Sequence, residues 1–285
     1  MPSAHDDDET RHERLEALNL KLLAGAAVLT VALLLGVRFS GDAEPGRLAA
    51  DLPTVDAVPD FASIHDVNEM KEEFFGFLLP LVEAQNDWVL DNRGFLLDVE
   101  SRLEAGRAIR AREQTRLELL GARYRVMLSE PAALEDVREL LLRVDIIPPS
   151  LALAQAAAES GWGRSRFARE ANNLFGEWCF TTGCGLVPQR RIPGAAHEVT
   201  LFDTVGDAVD SYFRNLNSHP AYEPLRELRA TARDEHGRVL GTHLIDGLEM
   251  YSERRGEYLE ELRHMIRINQ LLRLDEPETV ETAGL

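Results

Sequence analysis

The run Leu151-Ala152-Leu153-Ala154-Gln155-Ala156-Ala157-Ala158 constrains this chain more than any other. Its residues form helix readily, and their side chains are so small that neighbouring elements must come close on every side to exclude water. Such a helix belongs inside a domain. Pro148-Pro149 punctuates the chain ahead of it, which predicts a helix over 150–160. The helix runs out in Glu159-Ser160-Gly161-Trp162-Gly163, so a lone carboxylate emerges where apolar helix breaks into a Gly-rich turn beside an indole. Burial against apolar groups raises a carboxyl pKa and keeps the group protonated near neutrality, ready to donate to a leaving oxygen. The alternative is a structural Glu held by Arg164 or Arg166. It needs that partner, because negative charge is disfavoured at the negative end of a helix dipole.

Around this helix the pattern is mainly helical. Residues 66–127 carry apolar groups at helical spacing, among them Phe74, Phe75, Phe77, Leu78 and Leu79, with Pro80 and Gly94 expected to interrupt. They read as two or three helices making an arm or subdomain over 61–129. Further helices are expected at 131–144, in a short turn through Ala171, and at 204–216, 224–233, 244–251 and 256–272. Between them, 185–202 mixes Pro, Gly, Val, Ile and Thr as a small β-hairpin does. Alternating βαβ units are absent, so the architecture is mainly α with a minor β lobe, the main domain covering 130–275 before a disordered tail at 276–285.

The N-terminus reads differently. Residues 1–18 are polar, with the acidic run Asp6-Asp7-Asp8-Glu9, and form a disordered tail. From Leu22 to Val37 no residue is charged, and with its flanks this makes a transmembrane signal-anchor at 19–39. It is slightly short of the ~20 residues that span a bilayer, but Lys21 and Arg38 can snorkel. No Ala-x-Ala site follows, which disfavours a cleaved signal peptide. Arg11, Arg14 and Lys21 before the span put the N-terminus in the cytoplasm and the bulk of the chain outside. Residues 40–60, with Pro45, Gly46, Pro53 and Pro59, suit a linker. The net charge of −18 argues against a nucleic-acid partner, since neutralising phosphates needs clustered Lys and Arg. Cys179 and Cys184 are spaced to close as a disulfide in an oxidising compartment; reduced thiols are the alternative. Zinc would need two more ligands, and His197-Glu198 lacks the second His of a zinc protease, so no metal site is expected.

The run Ala154–Gly163, followed by Ser165 and by Asn172-Asn173-Leu174-Phe175-Gly176, resembles the signature of the family 73 glycoside hydrolases, peptidoglycan glucosaminidases with a lysozyme-like fold. The stretches Cys179–Pro188, His197-Glu198-Val199, Tyr212–Tyr222 and Tyr251-Ser252-Glu253-Arg254 are similar to its Bax-type branch. The resemblance implies that Glu159 is the general acid for cleaving the β-1,4 bond after N-acetylglucosamine, with no cofactor. Glycoside cleavage also needs a second carboxylate, an activated water or the substrate's own acetamido group at the anomeric centre. The family often carries that carboxylate on the first strand of the β lobe, but 185–192 has no acidic residue here. Glu198 is the first candidate and Glu177 the next.

Tyr251 matches a Tyr near the floor of the family's cleft, and Tyr258 is the other choice. Asn173 and Phe175 resemble groove-lining residues, Trp178 is either a further sugar contact or core packing, and Trp162 is read as pinning the turn that aims Glu159, with a wall of the cleft as its alternative. The expectation is thus an inner-membrane, single-pass enzyme facing the periplasm with peptidoglycan as its partner. A noncatalytic peptidoglycan-binding scaffold and a lytic transglycosylase are the rival readings.

Overall fold

The computed structural model describes residues 52–189 and 197–275. The acidic tail, the expected membrane anchor, most of the linker, part of the hairpin and the C-terminal tail lie outside the described residues. Among the described residues, no helix is long and apolar enough to cross a membrane.

The chain opens with a short helical turn at Phe61–Ser63 and then helix α1, Val67–Glu104. Asp66 caps α1, accepting from the backbone N–H of Asn68 and Glu69 at 2.8 and 2.9 Å. The breaks expected at Pro80 and Gly94 do not occur. Pro80, Gly94 and Gly76, whose carbonyl loses its partner to the proline, all face solvent. The local cost of ~3 kcal/mol for a mid-helix Pro and ~1 for a Gly is offset by the stripe Phe74, Leu78, Leu81, Val82, Val89 and Leu96, each fully buried and worth ~1.5–3 kcal/mol.

Helices α2 (Ala111–Tyr124), α3 (Leu134–Arg143), α4 (Pro149–Ser160) and α5 (Arg166–Ala171) follow. Next come β1 (Trp178–Cys179), β2 (Gly185–Leu186) and β3 (Glu198–Thr200), an antiparallel sheet in the order β1-β3-β2. Helices α6 (Val205–Ser218), α7 (Glu223–His236), α8 (Gly241–Leu244) and α9 (Gly256–Ile268) complete the elements, before a final turn at Leu271–Leu274. The helix expected at 244–251 is shorter, passing into a 3-10 turn at Ile245–Leu248.

Two expected boundaries move. α1 packs on α3, α4 and α6 within one core, so 61–129 is not a separate arm. Its buried Asn86 makes the join specific, donating to Ile147 O at 2.9 Å and accepting from Ile147 N at 3.1 Å just ahead of α4. The end of the expected linker is docked as well. Val58 is buried, Val55 O accepts from Val205 N at 2.9 Å, and Asn172 Nδ2 donates to Asp56 O at 2.9 Å. Two valines among the prolines give this segment an apolar face to bury.

Helix α4 is surrounded by α1, α8, α9 and the Leu271–Leu274 turn, and its residues from Pro149 to Ala157 are buried. The small side chains permit that enclosure.

Candidate active site

Glu159 stands in the last turn of α4. Gly161 ends the helix in the left-handed conformation, its N–H donating to Ala157 O, and the buried Ser160 hydroxyl donates to Ala156 O and accepts from Gly163 N. Trp162 packs edge-on against Phe74 and Phe75 of α1, with ring centroids 5.8 and 5.2 Å away, so it pins this turn. Burial pushes the Glu159 carboxyl above its ordinary range; a hydrogen bond from Tyr258 and the charge of Arg254 pull the other way without cancelling it.

A relay of neutral groups aims the carboxyl. Tyr212 OH donates to Gln155 Oε1 at 2.8 Å, and Gln155 Nε2 donates to Tyr258 OH at 3.0 Å. With its oxygen accepting from Gln155, Tyr258 turns its own proton to Glu159. Gln155 and Tyr212 escaped the sequence reading. The available signal was Gln155 itself, the one polar residue in the small-residue run, four residues and so one helical turn before Glu159.

Gly176 seals the other side. Its φ of +69° suits glycine, and a Cβ there would lie 3.0 Å from Glu159 Oε2. The next residue, Glu177, faces a cavity of about 450 Å³ shared with Trp178, Ser211, Arg214, His219 and Tyr222. Burial pushes Glu177 up to about 7, against hydrogen bonds from Ser211 and Asn215 and the charge of Arg214. Tyr222 feels both carboxylates; burial first, then Glu177 and Glu159, push it up to about 12.

The other candidates fall into distinct roles. Glu198 is buried, and its carboxylate accepts from Gly183 N at 3.1 Å and Gly185 N at 3.0 Å. Its oxygens therefore brace the loop that Cys179 and Cys184 close as a disulfide, with Cα atoms 6.2 Å apart. The two sulfurs and a Glu198 oxygen lie within 4.8 Å of one another, but sulfurs bonded to each other offer no thiolate to a metal.

Asn173 is also committed. Its amide donates to Glu177 O and Thr200 O, both at 2.9 Å, and accepts from Glu177 N at 3.0 Å. It holds the backbone of Glu177 and offers no groove donor to a sugar. Phe175 is buried and stacked on Tyr212 at 4.0 Å, so its face is core. Its carbonyl accepts from Tyr251 OH at 2.8 Å, and the Tyr251 ring lies parallel to that of Tyr258, 5.7 Å away. Tyr251 thus walls the site with its hydroxyl engaged. Trp178 is half exposed, stacked on His197 at 4.2 Å, and faces the cavity.

A carboxyl fixed at the end of a rigid helix, its proton held more firmly than in water and with a cavity opening at the neighbouring Glu177 and Trp178, can hand that proton to an oxygen of a polar ligand. Sequence comparison agrees with that chemistry. Residues 134–271 match the glucosaminidase family model, described as mannosyl-glycoprotein endo-beta-N-acetylglucosaminidase. The chain is 34% identical over 216 residues to protein bax of Escherichia coli strain K12, covering 76% of each. A solved structure with some likeness is the catalytic domain of the autolysin Auto from Listeria monocytogenes, 15% identical, with a TM-score of 0.40 over 75% of this chain and 92% of that one. The chain is a glycoside hydrolase and belongs to the Bax-type branch of the glucosaminidase family.

Proposed function

We propose that this enzyme hydrolyses the β-1,4 bond after N-acetylglucosamine in peptidoglycan strands, with Glu159 as the general acid. The observation that carries the reading is the setting of Glu159: half-buried, held above its ordinary pKa by desolvation, and approached by a neutral donor. A carboxyl in that setting holds its proton more firmly than one in water and can give it to the leaving O4 of the next sugar. Tyr258 positions it, and Tyr251 and Trp178 wall the sugar site. Glu198 keeps the disulfide loop in place and, in this reading, is not the second carboxylate.

The place of action is proposed on two features. The uncharged run from Leu22 to Val37 suits a single-pass inner-membrane anchor, and a disulfide at Cys179–Cys184 suits the periplasm.

The test is digestion of purified peptidoglycan by the full chain and by Glu159→Gln, with the released sugars reduced and identified by mass spectrometry. The expected products carry reducible N-acetylglucosamine ends and vanish with the variant. Anhydro-muramyl ends would reassign the enzyme as a lytic transglycosylase; binding with no release from either protein would make it a scaffold.

A further inference from the structure

We propose that the cavity beside Glu159 is the second half of the catalytic site, and that Glu177 is its carboxylate, the base for the water that attacks the sugar. The proposal rests on the hydrolase reading above. In the step, the water oxygen bonds to C1 of the N-acetylglucosamine unit while the bond from C1 to the glycosidic oxygen breaks. Glu177 takes the water proton and Glu159 gives its own to the leaving oxygen; solvent then restores both. The single displacement inverts the anomeric centre.

Three observations place Glu177 there. First, Gly176 lets the Glu177 backbone pass directly over the Glu159 carboxyl: the built Cβ lies 3.0 Å from Oε2, and the Glu177 Cα is one ~3.8 Å step further along the chain. Second, Asn173 fixes both backbone polar groups of Glu177, a degree of fixation that a surface charge does not need. Third, the side chain is held by Ser211 and Asn215 of α6 and faces a space of about 450 Å³ that opens to solvent between α6 and the sheet. Both carboxylates also act on the phenols of Tyr222 and Tyr251, whose ring centroids are 5.9 Å apart, so the two acids share one pair of rings as neighbours. Glu198, the other acid of the lobe, has its oxygens on the loop amides.

The groups facing Glu177 set its titration. On α6 they are Asp210, Ser211, Arg214 and Asn215; beyond α6 are His219 and Tyr222, and after α2 is Arg125. Glu159 acts on the same two phenols. Burial dominates and leaves Glu177 at about 7, a value suited to a base working near neutrality.

The test uses the full chain on purified peptidoglycan, reading the rate of new reducing N-acetylglucosamine ends against pH. Glu177→Gln is expected to lower kcat on the order of 10²–10⁴-fold with KM little changed, and to erase the limb of the profile centred near pH 7. Ser211→Ala, which removes a hydrogen bond to the charged form, is expected to move that limb to higher pH. Formate is expected to restore turnover to Glu177→Ala and not to Glu159→Ala. Reducing ends released by Glu177→Gln at the wild-type rate, with the limb unmoved, would overturn the assignment of Glu177 alone. Anhydro ends from the wild type would overturn it together with the hydrolase reading, since that reaction consumes no water.

Discussion

Two regions of this molecule draw carboxylates away from water, and they treat them in opposite ways. Asp145, after α3, is surrounded by guanidinium groups: Arg233 Nε donates to it at 2.9 Å and Arg93 lies 3.4 Å away. The fully buried Arg229 donates to the Asp145 carbonyl at 3.0 Å and to the carbonyls of Leu142, Arg143 and Ile146, closing the C-terminus of α3. Burial works against the Asp145 charge, but Arg229, Arg233 and Arg93 outweigh it and hold the group below the usual range. Glu159 and Glu177 are met mainly by neutral donors, and burial wins. The same residue chemistry becomes a structural ion in one place and, in the function proposed above, a proton carrier in the other, according to whether the partner is charged.

The largest effect tests the proton carrier. Glu159→Gln keeps the shape and the Tyr258 contact but has no proton to give, so activity should fall on the order of 10²–10⁴-fold. The thermal midpoint should hold or rise, since the site disfavours the charged carboxylate and the amide carries no charge at any pH. A variant that loses activity only in proportion to its unfolding would break the comparison.

At Asp145 the expectation reverses. Asp145→Asn leaves Arg229 buried without its countercharge, which costs about 3–5 kcal/mol in denaturant unfolding, with activity per folded molecule retained. Because the folded-state pKa of Asp145 is depressed, its stabilisation is present above the unfolded value and lost as pH falls through the folded one. The variant should therefore lose most at neutral pH and least in acid.

These roles were unevenly legible in the sequence. The position of Glu159 at the end of a buried small-residue helix could be read because the residues before it and the turn after it lie within one stretch of chain, whereas Gly176 and Arg254, which also surround it, come from elsewhere. Glu198 and Asn173 could not, because their partners are backbone groups fixed by the register of β3 with β1 and β2 and by the closed disulfide loop. Phe175 looked like a stacking face because its partner, Tyr212, is 37 positions away on α6. The continuity of α1 was hidden for a related reason. Pro80 and Gly94 are local signals against helix, while the burial that overrules them comes from α3, α4 and α6.

Glu177 sharpens the contrast through pH. Its carboxyl moves from an ordinary 4.5 to about 7 on folding. Below the lower value both states are protonated and burial costs nothing on this account. Between the two values the unfolded chain gives up its proton first, so stability falls by about 1.4 kcal/mol per pH unit, about 3 kcal/mol in all, and levels off above 7. Glu177→Gln should unfold at higher denaturant than the wild type at pH 8 and at an equal concentration at pH 4. An equal gain at both pH values would mean that packing, and not charge, separates the two proteins.

Asp275 sets the limit of the rule. It too is half-buried, raised by desolvation and met by neutral donors, with Ser150 and Gly241 pulling it back. Yet it sits at the N-terminus of α4, a full helix away from Glu159. Its oxygens accept from Ser150 N at 2.8 Å, Ser150 Oγ at 2.6 Å and Gly241 N at 2.8 Å. It is a helix cap delivered from 125 residues down the chain. Asp275→Ala should cost about 1–2 kcal/mol of stability, as caps do, and leave kcat for peptidoglycan unchanged. A loss of turnover beyond the loss of folded protein would mean that the cap also sets the aim of Glu159 through α4. The unchanged kcat expected here says that neutral company makes a carboxyl able to hold a proton, and only an open cavity gives it a substrate to act on.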